Sequence, residues 1–262
     1  MIRVGVFGAA GRMGATVCRA VLDDPELELV AAVDPMHAGL DLRQCGVDAS
    51  LQMGRHAGAL ADAGAEVAVD FTVVDAARDN IAWCADNGVH AVVGTTGFTP
   101  ADVDDFRARF EASSANAVIA PNFTIGAVLM VRFAELAAPW FETAEVIELH
   151  HDQKIDAPSG TALHTVERMA AASPDWARDP TTKTVVEGAR GGVTAAGIHI
   201  HSVRLRGLVA HEEVLLGTAG QSLSIRHDSY DRTSFMPGVV LAVKAVRDRP
   251  GLTVGLDALL DL

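Results

Sequence analysis

The sequence predicts an α/β protein: a Rossmann-like doubly wound parallel sheet, followed by a second α+β domain built on an open mixed sheet. Three observations carry this expectation. Short apolar runs alternate with helical runs over about the first 120 residues. The turn leaving the first run is glycine-rich, with Gly8, Gly11 and Gly14 in "GAAGRMG". Further on, the runs lengthen and alternate with period two, as in "GIHIHSVRL".

Taken in order, "IRVGVFG" is a buried strand: short, apolar and closed by glycine. "GRMGATVCRAVLDD" follows as a helix, with Met13, Val17, Ala20 and Val21 on one side. "LELVAAVD" is the second strand and ends at Asp34; "VAVDFT", Val67 to Thr72, is the third. "DAARDNIAWCADNG" is a helix with Gly88 as its C-terminal cap. "HAVVGTTG" is a fourth strand, "ADVDDFRARFEASS" a helix and "NAVIAPN" a fifth strand. Apolar strands alternating with helices imply a parallel sheet covered on both faces, whose ligands bind beyond the carboxyl ends of the strands.

The second domain opens with the apolar helix "IGAVLMVRFAELAAPWF", whose Met, Leu and Val residues read as core. Strand-like runs follow in "AEVIELHHDQK", "GIHIHSVRL" and "HEEVLLGTAGQSLSIRHDS". Pro174 to Gly192 is rich in Pro, Thr and Gly and reads as a loop. "SFMPGVVLAVKAVRDRPG" is again helical and is expected to return to the first domain. The expected division is a dinucleotide-binding domain from 1–121 and 233–262, and a substrate-binding and oligomerisation domain from 122–232.

Composition limits the function. The formal net charge of −13 over 262 residues argues against a nucleic-acid backbone as partner, yet permits a local basic pocket for a small anion. Cys18, Cys45 and Cys84 are scattered and form no C-x-x-C pair, as expected of reduced thiols. No run of about 18 apolar residues is present, so no membrane partner is expected and the cytoplasm is the expected location.

The glycine turn suits a pyrophosphate. A helix start offers unpaired N–H groups and a positive dipole end, and Gly8, Ala9, Ala10, Gly11, Arg12 and Met13 form the approach. Asp34, about 20 residues past the last glycine, can accept hydrogen bonds from ribose hydroxyls. A carboxylate there leans toward NADH, because it repels a 2′-phosphate; Arg12 could meet that phosphate, so NADPH stays open. Two more loops fall on the same sheet edge: Gly94, Thr95 and Thr96 in "GTTGF", and Ala120, Pro121, Asn122 and Phe123 in "APNF". Gly94 and Gly97 allow close approach, and Thr95, Thr96 and Asn122 bring hydrogen-bonding groups.

"ELHHDQKIDAPSGTA", Glu148 to Ala162, is the densest chemical stretch. If the strand continues, His150, Asp152 and Lys154 share one face and His151 the other, a poor geometry for a metal, and none is expected. Lys154 precedes a helix start at which Pro158 suits the first position. The N–H groups of Ser159, Gly160 and Thr161 are then free for a carboxylate. A histidine or lysine beside them can supply a proton. A capped helix after a polar strand, with solvated histidines, is the alternative.

The same stretch resembles the signature of the 4-hydroxy-tetrahydrodipicolinate (dihydrodipicolinate) reductases of lysine and diaminopimelate biosynthesis. "GAAGRMG", "VDFT", "GTTGF", "APNF", "GLVAHEEVLLG", "LSIRHDSYDRTSF" and "PGLTVGLDALLDL" match in order along essentially the whole chain. The resemblance implies that His150 is the proton donor/acceptor and Lys154 the proton-donating lysine. It implies substrate binding by His151, Gly160 and Thr161, and cofactor binding by Gly8 to Met13, Asp34, Gly94 to Thr96 and Ala120 to Phe123. The implied substrate is a small cyclic dicarboxylate, reduced with NADH or NADPH, and the implied assembly a homotetramer. Some members carry Glu-Arg after the second strand; here Asp34 is followed by Pro35, which weakens the case for NADPH.

Two rivals differ in residues. One is another two-domain dehydrogenase of a small acid, of the aspartate-semialdehyde or homoserine type; the first needs a catalytic cysteine at a strand end, which no cysteine here offers. A non-enzymatic dinucleotide sensor needs no His150, Lys154 and second anion site together. His199, His201, His211 and His227 read as structural, and Arg226 and Arg232 are left unassigned.

Overall fold

A computed structural model describes residues 1–260. The chain divides into two compact units: Met1–Ile125 with the residues from Arg232 onward, and Gly126–Asp231. The first unit opens with β1 (Ile2–Phe7), α1 (Arg12–Asp23), β2 (Leu27–Val33), the short α2 (Gly58–Asp62), β3 (Val67–Asp70), α3 (Val74–Asn87), β4 (His90–Val93), α4 (Pro100–Glu111) and β5 (Ala117–Ile119). Then come α5 (Ile125–Ala137), β6 (Thr143–His150), α6 (Gly160–Ala172), β7 (Gly192–Val193), β8 (His199–Arg204), β9 (Ala210–Thr218) and β10 (Gln221–Ser229). α7 (Met236–Ala245) and β11 (Leu252–Val254) complete the first unit.

In the first unit the strand order is β11-β5-β4-β3-β1-β2, and every pair is parallel. The chain steps from β1 outward to β2, then returns to β3 on the other side of β1. The crossover helices leave in opposite directions there, which opens a crevice at the carboxyl ends of β1 and β3. The strands are buried almost throughout because helices cover both faces; Phe7, Leu60, Ile81, Phe106 and Phe110 pack in one cluster. α1 buries Gly14, Ala15, Val17, Cys18 and Val21; of the face its sequence spacing marks, Val17 and Val21 are buried and Met13 and Ala20 are half-buried. Gly88 closes α3 at φ 69°, in the left-handed region, and its N–H donates to the Cys84 carbonyl. α4 starts at a capping box: the Thr99 side chain accepts from the Asp102 N–H, the Asp102 side chain accepts from the Thr99 N–H, and Pro100 follows.

Two elements of the first unit escape the sequence reading. β11 spans three residues and is defined by its pairing with β5. α2 spans five, too short to show a helical period. α7 packs against α1, and Lys244 bridges Asp24 at 2.9 Å and Glu26 at 2.7 Å.

In the second unit the order is β10-β9-β6-β8-β7. β6 runs parallel to β8 and antiparallel to β9, so the sheet is mixed. One face carries Ala144, Val146, Ile200, Val214 and Leu216 against Ala134 of α5 and Ala162, Val166 and Met169 of α6. Residues 173–191 form no helix or strand among the described residues.

Candidate active site

At the first strand–helix turn, Gly8 adopts φ 66°, a conformation L side chains rarely take. A Cβ on Gly14 would lie 2.1 Å from the Gly8 carbonyl oxygen and 2.9 Å from Ala9 Cα. The glycine turn is therefore packed backbone on backbone. Gly11 caps α1 without a side chain, and no side chain bonds the helix's first N–H groups. This uncapped N-terminus fits a pyrophosphate.

Asp34, at the carboxyl end of β2, is buried. Its Oδ2 accepts from the Ala10 N–H at 3.3 Å, and its Oδ1 accepts from the Met36 N–H at 3.1 Å. Its Oδ1 also lies 3.0 Å from His37 Nδ1. Asp34 thus ties the glycine turn to its own strand end. Oδ2 keeps acceptor capacity for a ribose hydroxyl. Arg12 is exposed beside the turn.

In the other two loops the Thr95 and Asn122 side chains are engaged within the protein. The Thr95 hydroxyl lies 3.2 Å from Asp70 Oδ1 and 3.1 Å from the Thr72 carbonyl, so it faces inward. Asn122 Oδ1 accepts from the Thr124 N–H at 2.9 Å, which shapes its own loop. Ala120 is buried, and Phe123 packs its ring on Phe71 at 5.6 Å. Thr96 and Pro121 are exposed. A Cβ on Gly94 would lie 2.0 Å from the Phe71 ring, so that position is restricted by packing. Asp70, which the sequence reading passed over, organises this edge. Its Oδ1 accepts from the Thr72 N–H and hydroxyl at 2.7 Å each, and its Oδ2 accepts from Asn80 Nδ2 at 2.7 Å.

In the second unit the expectation for "ELHHDQK" is corrected on one point. The strand stops at His150 and the chain turns, with the Lys154 N–H donating to the His151 carbonyl at 3.2 Å. His150, Asp152 and Lys154 therefore do not share a strand face. Strand alternation instead sets His150 on the side of Glu148, and that face packs on α6.

Glu148 is fully buried and takes four donors. Oε1 accepts from Arg204 Nη2 at 2.8 Å and from the Ser159 N–H at 3.2 Å. Oε2 accepts from Arg204 Nη1 at 2.9 Å and from His150 Nδ1 at 2.5 Å. Burial opposes the Glu148 charge, but the Arg204 fork, with help from Ser202 and His150, holds the carboxyl below its ordinary value. An ionised carboxylate only accepts, so His150 Nδ1 carries a hydrogen. The free nitrogen, Nε2, has no partner among the described residues. Burial pushes the His150 pKa down, against the pull of Glu148, and nearby Lys154 and Arg204 push the same way. His150 is a neutral imidazole with a lone pair on Nε2 at neutral pH.

Lys154 Nζ donates to both carboxylate oxygens of Asp156 at 2.8 Å. His151 is exposed. The helix start is also corrected. Pro158 is not the first helical residue: it follows a cis peptide bond from Ala157, and α6 begins at Gly160 with Ser159 as its cap. The Ser159 hydroxyl accepts from the Ala162 N–H at 3.2 Å, and the Ser159 N–H is taken by Glu148. That leaves the N–H groups of Gly160 and Thr161 without partners among the described residues. Gly160 is exposed, and no atom lies within 4 Å of where its Cβ would stand. The two free amides at the helix N-terminus suit a carboxylate, while Lys154 and Arg204 are each paired with a carboxylate of the chain, Asp156 and Glu148.

Among the described residues, no group of three or more His, Cys, Asp or Glu could hold a metal ion, and no helix is long and apolar enough to cross a membrane. A cavity of 270 Å³ in the second unit, lined in part by Thr143, Trp176, Arg190 and His199, contains none of the predicted site residues.

A doubly wound sheet with an uncapped glycine turn, joined to a mixed-sheet unit whose α6 start leaves two amides free, is the two-domain architecture of dinucleotide-dependent dehydrogenases. Solved structures share this architecture at low identity: an amine dehydrogenase from Mycobacterium smegmatis superposes with a TM-score of 0.68 over 98% of this chain and 95% of its own, at 16% identity. The family is narrower. Family models for the N-terminus and C-terminus of dihydrodipicolinate reductase match residues 2–123 and 126–260, and the chain belongs to that family. Proteins named 4-hydroxy-tetrahydrodipicolinate reductase from Cutibacterium acnes and Corynebacterium urealyticum are 50% and 48% identical, with all of both chains covered in each case. A dipicolinate-bound dihydrodipicolinate reductase from Paenisporosarcina is 39% identical, with a TM-score of 0.87 over 98% of this chain and 99% of that one.

Proposed function

We infer that this chain reduces 4-hydroxy-tetrahydrodipicolinate to tetrahydrodipicolinate with NADH or NADPH, in lysine and diaminopimelate biosynthesis. The observation that carries the reading is the set formed by His150, braced on a buried Glu148–Arg204 pair, and the free Gly160 and Thr161 amides. Family membership narrows that set to this dicarboxylate.

The glycine turn, Asp34 and the backbone of residues 94–96 and 120–123 hold the dinucleotide. When bound, its dihydronicotinamide supplies a hydride. The chain's own residues supply the rest. The Gly160 and Thr161 N–H groups and the Thr161 hydroxyl bind one substrate carboxylate, with His151 alongside. Lys154 neutralises charge and delivers a proton. Two of its three ammonium hydrogens are directed at Asp156, and the third is available to substrate. His150 presents an Nε2 lone pair, so it accepts from substrate first and donates only after gaining a proton. Loss of the 4-hydroxyl as water needs such a proton at the leaving oxygen.

The carboxylate of Asp34 followed by Pro35 favours NADH, with Arg12 the one loop cation able to meet a 2′-phosphate. The test is a coupled assay in which the preceding synthase condenses pyruvate with aspartate semialdehyde while oxidation of NADH and of NADPH is followed separately. Absence of oxidation with either cofactor rejects the function.

We place the enzyme in the cytoplasm as a homotetramer. Support for the assembly comes from the outer face of the mixed sheet, where Ile147, Leu149, Val203 and Leu215 are only partly buried and Leu205 is exposed. A stable monomer at micromolar concentration by size-exclusion chromatography with light scattering excludes that assembly.

A further inference from the structure

Behind the catalytic histidine lies a second carboxyl that the reaction as described does not use. Glu212 of β9 stands directly across from Glu148 of β6, and His227 of β10 stands across from Glu212 on its other side. Glu212 is 5% exposed. Its Oε1 lies 2.5 Å from the hydroxyl oxygen of Thr165, a fully buried residue in the second turn of α6. That same hydroxyl oxygen lies 3.0 Å from the Thr161 carbonyl.

The hydrogens around Thr165 decide the state of Glu212. A threonine hydroxyl has one hydrogen, and the Thr161 carbonyl can only accept. If Glu212 were a carboxylate it too could only accept, and one of the two short contacts would lack a hydrogen. Both are satisfied when Glu212 carries a proton, donates it to the Thr165 oxygen, and Thr165 donates onward to Thr161. Charge leads to the same state. Like charges directly opposite on paired strands repel, and Glu148 is already ionised by the Arg204 fork.

We propose that Glu212 works as a neutral carboxylic acid that donates to Thr165, and that in this form it is a positioning residue, tying the substrate-binding turn of α6 to the strands carrying Glu148 and His150. The Thr161 carbonyl it reaches belongs to the residue whose N–H is offered to substrate. Loss of the proton would place a second negative charge opposite Glu148, remove the donor to Thr165 and disturb the bed on which His150 rests.

The groups facing Glu212 agree. From β6 it meets Glu148, backed by Arg204 and His150; from α6 it meets the Thr165 hydroxyl; from β10 it meets His227. The His227 ring packs so closely on α5 that a Cβ on Gly126 would lie 2.5 Å from its Cδ2. Burial pushes His227 down, against Asp228 and with His211, so it offers no cation to hold Glu212 ionised. Burial pushes the Glu212 carboxyl up to about 7; the Thr165 hydrogen bond opposes this and Glu148 adds to it.

The kinetic part rests on the acid–base reading of His150; the protonation part does not. The test uses the full-length enzyme, its E212Q and E212A variants and, for the His150 reading, H150Q. Infrared difference spectra between about pH 6 and about pH 8.5 are expected to show a protonated-carboxyl band that disappears at the higher pH in the wild type and is absent from E212Q. A wild-type spectrum that matches E212Q overturns the neutral-acid assignment. In steady-state kinetics E212A is expected to raise the KM for the dicarboxylate about tenfold, and E212Q to recover most of that loss, with the alkaline limb of kcat/KM moved up by about one pH unit. Equal impairment of E212A and E212Q, or an unmoved limb, overturns the positioning role. If H150Q keeps full turnover while the infrared band is present, it is the His150 reading that fails, and Glu212 stands as a protonated tether only.

Discussion

Glu148→Gln is the most demanding test of how His150 is held. The substitution keeps the shape and removes the charge. In the wild type each carboxylate oxygen of Glu148 accepts one Arg204 nitrogen, at 2.8 and 2.9 Å, and one further donor, Ser159 N–H or His150 Nδ1. A glutamine has one acceptor and one NH₂, so either orientation points amide hydrogens at an Arg204 donor. One charge-assisted hydrogen bond is lost, worth about 1.5–3 kcal/mol. The guanidinium, 19% exposed at its side chain, loses its bonded carboxylate and keeps only the more distant charge of Asp156. Removing one partner of a buried ion pair costs about 3–5 kcal/mol, and the partial exposure of Arg204 puts this case near about 3 kcal/mol. For a chain of this size that is a Tm lower by about 6–12 °C.

The catalytic effect depends on the tautomer. With the amide NH₂ turned to His150, Nδ1 must accept, so the neutral ring carries its hydrogen on Nε2, the reverse of the wild type. Loss of a correctly set acid–base group costs about 10²–10⁴ in rate. The coupled assay is expected to show kcat reduced at least about 100-fold, while NADH affinity, read by quenching or calorimetry, is unchanged. A Glu148→Gln enzyme within about threefold of wild-type kcat, with its pH profile intact, would refute the reasoning.

Other outcomes follow from the same geometry. Lys154→Ala and His150→Ala should each lower kcat by about 10²-fold or more with NADH binding retained; lost binding would mean these side chains serve the cofactor. Gly14→Ala should abolish dinucleotide binding or unfold the first unit, because the clash is with backbone at 2.1 Å and no side chain can yield; an isothermal titration with wild-type affinity would contradict it. The Glu212 proton also has a stability signature. Its folded pKa, about 7, is raised above the unfolded value, so the stability linked to that proton is complete below about pH 4.3 and is lost as pH rises through about 7. The Tm advantage of Glu212→Gln over wild type should therefore grow between about pH 4.5 and about pH 7 and level off above; a pH-independent difference would mean Glu212 is ionised throughout.

Much of this protein can be read from its chain because the determinants are local. Short, mostly apolar runs define strands buried on both faces, Gly88 marks a helix end, and three glycines followed by Asp34 mark a nucleotide turn. The "HHDQKIDAPSGT" stretch likewise announces cation, acid–base group and helix start within thirteen residues of Glu148. What stayed hidden depends on which strands lie side by side. Arg204 reaches Glu148 because β8 runs parallel to β6, and Glu212 faces Glu148 because β9 runs antiparallel to it, across 56 and 64 residues of chain. The end of β6 at His150, the loss of the Ser159 amide to Glu148 and the inward turn of Thr95 toward Asp70 are equally tertiary. Periodicity separates the faces of neighbouring residues such as His150 and His151, and the family signature singles out His150. Only the register of the folded sheet supplies the buried charges that set which of its nitrogens carries the hydrogen.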